Sequence, residues 1–511
     1  MPLVSVVTPT HRLDRIERAA KSLAAQTFRD FEWVVAINGT VRQEFAEAKL
    51  KAFAPSLFEE GKVRIVKVEN NYTETAPAIN GRPAEKKVTK NSIGYIKLQA
   101  FSAAKGDFLV ELDHDDELAI EALDEVVKAF DNTPDSSLVY SQCLRVFEKG
   151  FKMEGTGKIC GDNEEEIWDG AWLYYEATFN AFDGPITRRV AYNPPILPQN
   201  VSRIWWAPDH VRAFRASFYK EVGGHRPTLP ICDDLDLMGR LFLRGPFAEV
   251  KAPLYRYVRH TDNSYAPFSG GGKGKLPAQN IPALTMLNHD NMITDLAKTH
   301  WGREGKALID LRETIDPEVD QPIPGWLTAA CFGSDHPFEL AGEWPFEDDS
   351  VGAIRAASHL GLSAFENPLN IMNEAYRVLC HGGLFLIEVP SSDGRLAFSN
   401  PFTKSLWNET SFLYYTSADL QKFIKHAGVS AKFNVVRMWT YWPTPWHQSH
   451  NIPVVRAHLA AIKDGPELHG PNEIGPDFER RRKEWQEREV SLRAAELTKT
   501  ISGLGIKPNQ R

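Results

Sequence analysis

Two clusters of carboxylates carry most of the chemical information in this chain. Asp113-His114-Asp115-Asp116 follows directly on the apolar run Phe108 to Leu112, and Asp233 and Asp234 open a second acidic stretch with Asp236. Three carboxylates in four positions repel one another unless something offsets the charge, and a divalent cation bridging to phosphates does so. For one of them a plainer reading exists, because Asp116 or Glu117 could cap a helix beginning near Leu118. In the second cluster Leu235, Met238 and Leu241/Phe242 recur at helical spacing, which places Asp233 and Asp234 at that helix's N-terminus. A third feature, Ser269 to Lys275 (SGGGKGK), reads either as a linker or as a lid placing ammonium groups over a phosphate. It lacks the G-K-[ST] of a phosphate-binding loop.

The elements that must position these groups follow from hydrophobic periodicity. Leu3 to Val7, Glu32 to Ile37, Val63 to Val68 and Phe108 to Leu112 read as buried strands, with helical patterns such as Arg15 to Ala25 and Ile93 to Ala104 between them. Alternation of this kind predicts an α/β fold built on a parallel, nucleotide-binding type of sheet. Ligands of such sheets sit beyond the carboxyl ends of the strands. Those places hold Thr8-Pro9-Thr10-His11-Arg12, Asn38-Gly39-Thr40 and the Asp113 cluster. From about 150 to 205 the alternation lapses into an aromatic stretch with Trp168, Trp172, Tyr174, Tyr175, Trp205 and Trp206, expected to be irregular. Pattern returns at Val211 to Val222, and Lys251 to His260 reads as a further strand.

Composition limits the alternatives. The chain has 511 residues, 42% of them hydrophobic and 25% charged, with a net charge of -8, which excludes low-complexity disorder, collagen-like fibres and small disulfide scaffolds. Its length predicts two or more domains, each able to close its own core. Five cysteines, at 143, 160, 232, 331 and 380, show neither CxxC nor a Cys/His metal spacing, so a reducing compartment is expected. No secretory signal opens the sequence and no apolar run reaches membrane-spanning length. The expectation is a soluble, cytoplasmic protein.

Five segments in order, PLVSVVTPTHR, EWVVAINGT, ELDHDDEL, FRASFYKEVGGHR and ICDDLDLMGRLFLRG, resemble the family 2 glycosyltransferases of the GT-A fold over about residues 1 to 265. The resemblance implies that Thr8, Pro9, Thr10, Arg12, Asn38, Lys97, Asp113, Asp233 and His225 contact a nucleotide-sugar donor, most simply a UDP-sugar. Asn38 stands where relatives usually carry an aspartate that meets the base. Asp113 and Asp115 match the DxD pair that holds Mn²⁺ or Mg²⁺, and His260 resembles a histidine that completes the site. Asp234 matches the general base of an inverting transfer, and Asp233 replaces the glutamate usual before it. No QxxRW follows, which argues against a processive polysaccharide synthase.

The second half resembles the middle of a class I S-adenosylmethionine-dependent methyltransferase over about 325 to 420. Trp344 to Ser350, Ile354 to His359, Asn373 to Leu379, His381-Gly382-Gly383 and Leu384 to Pro390 carry the likeness. The cofactor's glycine-rich loop is missing from IPGWLTAACFGSD, and Leu362-Ser363 stand where relatives carry a glutamate-histidine pair, so S-adenosylmethionine binding is not expected. The expected boundaries are a transferase domain at 1–265, a linker or loop at 266–285, a methyltransferase-like domain at 286–475 and a charged helical tail at 476–511. The second domain is expected to position the acceptor or to join copies of the chain as a homo-oligomer. Trp439, Tyr441, Trp442, Trp446, His447 and His450 form either a binding face there or an ordinary core with a solvated loop. Two acceptors are compatible with these features: a glycan, or a hydroxymethylated pyrimidine in DNA, the latter favoured by the basic cluster Arg480 to Lys483. A bifunctional glycosyltransferase/methyltransferase is the remaining alternative.

Overall fold

The computed structural model describes residues 2–75, 86–151, 165–166, 174–191, 193, 196–203, 208–260, 280–312, 322–330, 336–337, 342–357, 361–364 and 366–463. The SGGGKGK segment, Trp168, Trp172, Trp205, Trp206, Cys160, Cys331 and the charged tail lie outside these residues. Two compact units result, Met1–His300 and Trp301–Arg511. The division falls past the expected 266–285 linker, because the long helix Asn280–Arg303 belongs almost wholly to the first unit.

The first unit is built on a mixed sheet. Val63–Lys67, Phe31–Ile37, Val4–Thr10 and Phe108–Glu111 lie side by side and parallel. Arg212–Arg215 is inserted antiparallel between Phe108–Glu111 and Leu138–Phe147, and Phe247–Arg259 runs parallel to the latter. The parallel strands read as unbroken apolar runs because both faces are covered. Side-chain alternation then divides them: Val6, Trp33, Val35 and Val110 enter one core, while Val7, Val34, Ala36 and Leu109 enter the other.

Two expectations are corrected here. No helix begins at Leu118: Glu117–Leu118 is a short strand paired with Phe247–Arg259, and the helix runs Ala122–Asn132. Asp116 therefore caps nothing, and its carboxylate accepts from the Tyr255 hydroxyl at 2.9 Å and the Val258 amide at 2.8 Å. The 150–205 stretch is also not wholly irregular, since Tyr174–Ala181 and Gly184–Ala191 form an antiparallel hairpin. Its period-two pattern (YYEATFNA, GPITRRVA) was masked by the surrounding aromatic and polar residues.

Helix Ile93–Ser102 illustrates how local sequence fixes geometry near the strand ends. Ser92 caps it by accepting from the Tyr95 amide, and donates its own hydroxyl to the Pro227 carbonyl at 2.7 Å. Gly94 lies so close to the 226–229 backbone that a Cβ would sit 2.2 Å from the Arg226 carbonyl oxygen. That close approach sets where Lys97, one turn on, can reach.

Among the described residues the second unit forms a seven-stranded sheet with the order His336–Pro337, Leu327–Ala330, Ala307–Arg312, Val351–Ala356, Leu379–Pro390, Val454–Ala461, Phe433–Tyr441. Val454–Ala461 runs antiparallel to both its neighbours, whereas the first five are parallel. Helix Pro368–Val378 opens with a proline in its first turn and Asn367 accepting from the Asn370 amide. It buries Ile371, Met372, Ala375 and Val378, one helical stripe, against the core around Phe385, Phe412 and Phe433. The chain is thus α/β in both halves, as the alternation of apolar runs and helical patterns requires.

Candidate functional site

One cavity of the first unit opens at the carboxyl ends of the parallel strands. It is lined by Pro9, Thr10 and Asn38 from the first two strand ends, Lys97 from the helix at Ile93–Ser102, Asp113 and Asp115 from the turn after the fourth strand, and Asp233 and Asp234. The two acidic clusters, 117 residues or more apart in sequence, therefore face the same space. Asp233–Phe242 is a helix whose first turn holds Asp233, Asp234 and Asp236, preceded by Cys232 in a left-handed conformation (φ 60°). Asp236 is taken up structurally by Arg240 at 2.6 Å and Arg226 at 3.1 Å.

Four expected residues stand elsewhere. Thr8 is fully buried, and its hydroxyl accepts from the Trp33 indole N–H at 3.0 Å, so it supports the sheet rather than facing a ligand. Arg12 is outside the cavity lining, with Nε donating to Asp14 at 2.7 Å. His225 is buried behind Asp233, its Nε2 3.6 Å from Asp233 Oδ2 and its Nδ1 2.8 Å from the Tyr219 hydroxyl. His260 is buried and reaches the site through Asp115, with Nε2 2.7 Å from Oδ2.

The Asp113–Asp116 turn is held by the strand that ends at Arg259. Tyr255 accepts from the Asp113 amide at 3.0 Å while donating to Asp116, so one phenol fixes both ends of the turn. Burial, aided by Asp115 and Asp113, pushes the Asp116 carboxyl well above the usual carboxylate range, which suits an acid enclosed by the fold.

Sequence reading missed Glu111, His210 and Arg212. Arg212 is buried, donates to Asp234 Oδ2 at 2.9 Å and to the Pro208 carbonyl at 2.9 Å. A signal existed, since Arg212 interrupts the apolar pattern of an inserted strand, but nothing in the sequence shows which strand it lies beside. Glu111 has the same character at the end of FLVEL.

Four carboxylates, Asp113, Asp115, Asp233 and Asp234, thus share the site with the cations Lys97 and Arg212, and Glu111 stands behind those two cations. Burial, reinforced by Glu111 and Asp115, pushes Asp113 up to about 6 against the pull of His210 and Lys97. Burial likewise raises Asp233 to about 6, with Lys97 opposing and Asp234 and Glu111 adding to the rise. Burial works against the charge on Lys97, yet Asp233 and Glu111 outweigh it and hold the ammonium well above its ordinary range. His210 and His225 are driven toward the neutral form, first by burial and then by Arg212 and Lys97 respectively.

A surplus of buried negative charge facing a cavity is an arrangement that a cation would relieve. Among the described residues no group of three or more His, Cys, Asp or Glu is gathered as a metal-ligand set. The donor types nevertheless fit a hard divalent ion: two carboxylates, Asp113 and Asp115, on one turn, and the His260 imidazole already against Asp115.

No protein-family model matches this chain. It is 26% identical over 194 residues to the uncharacterized protein y4gI of Sinorhizobium fredii (strain NBRC 101917 / NGR234), covering 37% of this chain and 18% of that protein. It is 26% identical over 142 residues to the O-antigen biosynthesis protein RfbC of Myxococcus xanthus, covering 27% of this chain and 9% of that protein. The matches therefore span less than a fifth of either curated relative. Among solved structures, S. aureus TarS 1-349 aligns with 15% identity and a TM-score of 0.34, over 58% of this chain and 72% of that one. The complex of TarS 1-349 with UDP-GlcNAc aligns with 13% identity and a TM-score of 0.36 over the same shares. Likeness at this level carries no argument about the site, which stands on its own geometry.

Proposed function

We propose that the first unit is a metal-dependent, inverting glycosyltransferase of the GT-A type that moves a sugar from a nucleotide-sugar to an acceptor hydroxyl. The observation that carries this reading is the meeting, in one cavity at the strand ends, of the Asp113/Asp115 turn with Asp233 and Asp234. Sugar transfer from a diphosphate requires opposite electrostatic services on the two sides of the anomeric carbon. Negative charge develops on the leaving diphosphate, and a proton must leave the acceptor hydroxyl. Asp113, Asp115 and His260 would hold a Mn²⁺ or Mg²⁺ ion, which when bound neutralises the diphosphate. Asp234 takes the acceptor proton, its carboxylate oriented by Arg212 and by the Leu235 amide at 2.9 Å. Pro9, Thr10 and Asn38 border the donor side of the cavity, and the Ile93 and Ile96 side chains offer an apolar wall there.

A UDP-sugar is the donor this reading expects. The acceptor is a glycan. The alternative, a hydroxymethylated pyrimidine in DNA, draws in part on Arg480 to Lys483, which lie outside the described residues.

For the second unit we propose a methyltransferase-like module without methyl transfer. Its five parallel strands and the crossover helix Pro368–Val378 support the likeness. After the Ala307–Arg312 strand the chain reads Glu313-Thr314-Ile315-Asp316-Pro317, with none of the glycines that close backbone approach to a cofactor requires. Such a module would position the acceptor or join copies of the chain.

Titrating the full chain by calorimetry with UDP and UDP-sugars, with and without Mn²⁺, tests the transferase reading. Metal-dependent binding of a uridine nucleotide is expected. Absence of binding by any nucleotide-sugar, with or without metal, would remove it.

A further inference from the structure

Glu111 has no part in the chemistry just described, yet it is among the most enclosed charges of the unit. It ends the Phe108–Glu111 strand, its side chain is 1% exposed, and it stands behind the cavity wall rather than in it. Its two oxygens face two different cations: Oε1 lies 2.5 Å from Lys97 Nζ and Oε2 lies 3.9 Å from the Arg212 guanidinium. Each cation continues to one of the paired aspartates. Lys97 Nζ is 3.6 Å from Asp233 Oδ2, and the Arg212 guanidinium is 2.9 Å from Asp234 Oδ2.

Because Asp233 and Asp234 are consecutive, these contacts close a ring in which the sign of charge alternates from Asp233 through Lys97, Glu111 and Arg212 to Asp234. Four elements contribute: a parallel strand, the helix at Ile93–Ser102, the inserted antiparallel strand and the helix at Asp233–Phe242. Lys and Arg side chains have many rotamers and do not hold one position unaided. A cation set between two buried anions is drawn from both sides and cannot turn fully to either. Burial opposes ionisation of Glu111, but Lys97 and then Arg212 keep its carboxyl well below the usual range, so Glu111 keeps its charge.

We infer that Glu111 is a positioning residue which, through Lys97 and Arg212, fixes the orientation in which Asp233 and Asp234 meet the substrates. The inference rests on the transferase reading of Asp234. With Oδ2 against Arg212 and Oδ1 accepting from the Leu235 amide, the Asp234 carboxylate is set before any acceptor arrives. Orientation of this kind matters to rate more than to affinity, since a misplacement of about 1 Å can cost about 10²-fold.

The test uses Glu111→Gln, which keeps the shape and removes the charge, and Glu111→Asp, which keeps the charge on a shorter stem. Both are made in the full chain. The crystal structure of Glu111→Gln is expected to show the Arg212 guanidinium, no longer drawn toward residue 111, turned fully onto Asp234, with the Asp234 carboxylate displaced from its wild-type orientation. The kcat for nucleotide-sugar turnover is expected to fall about 10- to 10²-fold while the Kd for UDP with Mn²⁺ stays within about threefold. Glu111→Asp should recover part of the lost kcat. An unmoved Arg212–Asp234 pair would overturn the inference, and so would a parallel loss of turnover and UDP affinity, which marks a purely structural role. Should Glu111→Gln fail to fold, Glu111→Asp carries the test: its carboxylate, set back on a shorter stem, should lower kcat at unchanged UDP affinity, and full activity refutes the inference. A wild type inert toward every nucleotide-sugar would sink the transferase reading alone, because the position of Arg212 in the Glu111→Gln crystal still decides whether Glu111 sets the ring.

Discussion

The two sheets treat buried charge at their strand ends in opposite ways. In the first unit Asp113, Asp115, Asp233 and Asp234 border a cavity, and Lys97 and Arg212 are too few to neutralise them. In the second unit Asp310, on the Ala307–Arg312 strand, is fully buried between Arg312 at 2.6 Å and Arg355 at 2.9 Å. Charge left over against open space is charge prepared for a ligand, whereas charge closed in side-chain pairs is committed to the fold. The difference separates a site from a structural ion cluster more sharply than the presence of acidic residues does.

The largest effect that could break this comparison is on rate. Asp234→Asn keeps the hydrogen bond to Arg212 but removes the proton acceptor, so transfer should fall about 10²–10⁴-fold, the usual worth of general-base catalysis. UDP affinity should change by less than about threefold, because the donor is held elsewhere in the cavity. Loss of UDP binding in a folded Asp234→Asn protein would show that the two acidic clusters do not divide the work as proposed. Single-turnover transfer measured beside calorimetric UDP binding separates the outcomes.

The matching change in the second unit should act on stability alone. Asp310→Asn leaves Arg312 and Arg355 adjacent without their shared anion, and breaking a buried pair in this way costs about 3 kcal/mol. Hydrogen exchange in the Ala307–Arg312 and Val351–Ala356 strands should accelerate accordingly, while UDP binding by the same protein stays unchanged. A change in UDP affinity would mean that Asp310 serves the first unit's function.

How far the sequence went depended on whether an interaction is local. The strands Val4–Thr10, Phe31–Ile37 and Phe108–Glu111 were legible because burial on both faces leaves an apolar run, and the Asp113 and Asp233 clusters were legible because acids after such runs are costly. The helix expected at Leu118 was not found, because pairing with the distant Phe247–Arg259 strand overrode the local pattern. Thr8 was misplaced for a related reason: period-two alternation shows that it faces away from Val7, but not that Trp33 covers it. Glu111 and Arg212 became meaningful only when an antiparallel strand from about 100 residues on lay beside the fourth strand, which no short-range pattern encodes.

A moderate effect, in pH rather than rate, sharpens the comparison from the second unit's side. Burial, then Arg456 and Arg437, depress His458 to about 3, and its ring meets Trp439 edge-on at 5.5 Å. The folded form therefore binds no proton at this site above about pH 3, whereas the unfolded chain binds one below about 6.5. Stability from this group is fully present above the unfolded value and is lost as pH falls toward the folded one. Between pH 7 and pH 5 the loss should be about 2 kcal/mol. Hydrogen exchange along Val454–Ala461 should show it, and His458→Leu should flatten the dependence.

The smallest effect concerns the aromatic end of the same sheet. Trp439 and Tyr441 are engaged by Arg437 and Arg456, whereas Trp442 and Trp446 are 46% and 57% exposed, and Trp446 meets His450 at 4.3 Å and His447 edge-on at 5.3 Å. Side chains that leave so much surface in water add little to folding, so Trp442→Ser and Trp446→Ser should change stability by less than about 0.5 kcal/mol. If the second unit presents the acceptor, the pair should instead raise the KM for acceptor with kcat preserved, since stacking on an exposed ring serves binding and not the reacting atoms. An unchanged acceptor KM would turn attention from this rim to chain association, which sedimentation of the same double variant measures directly.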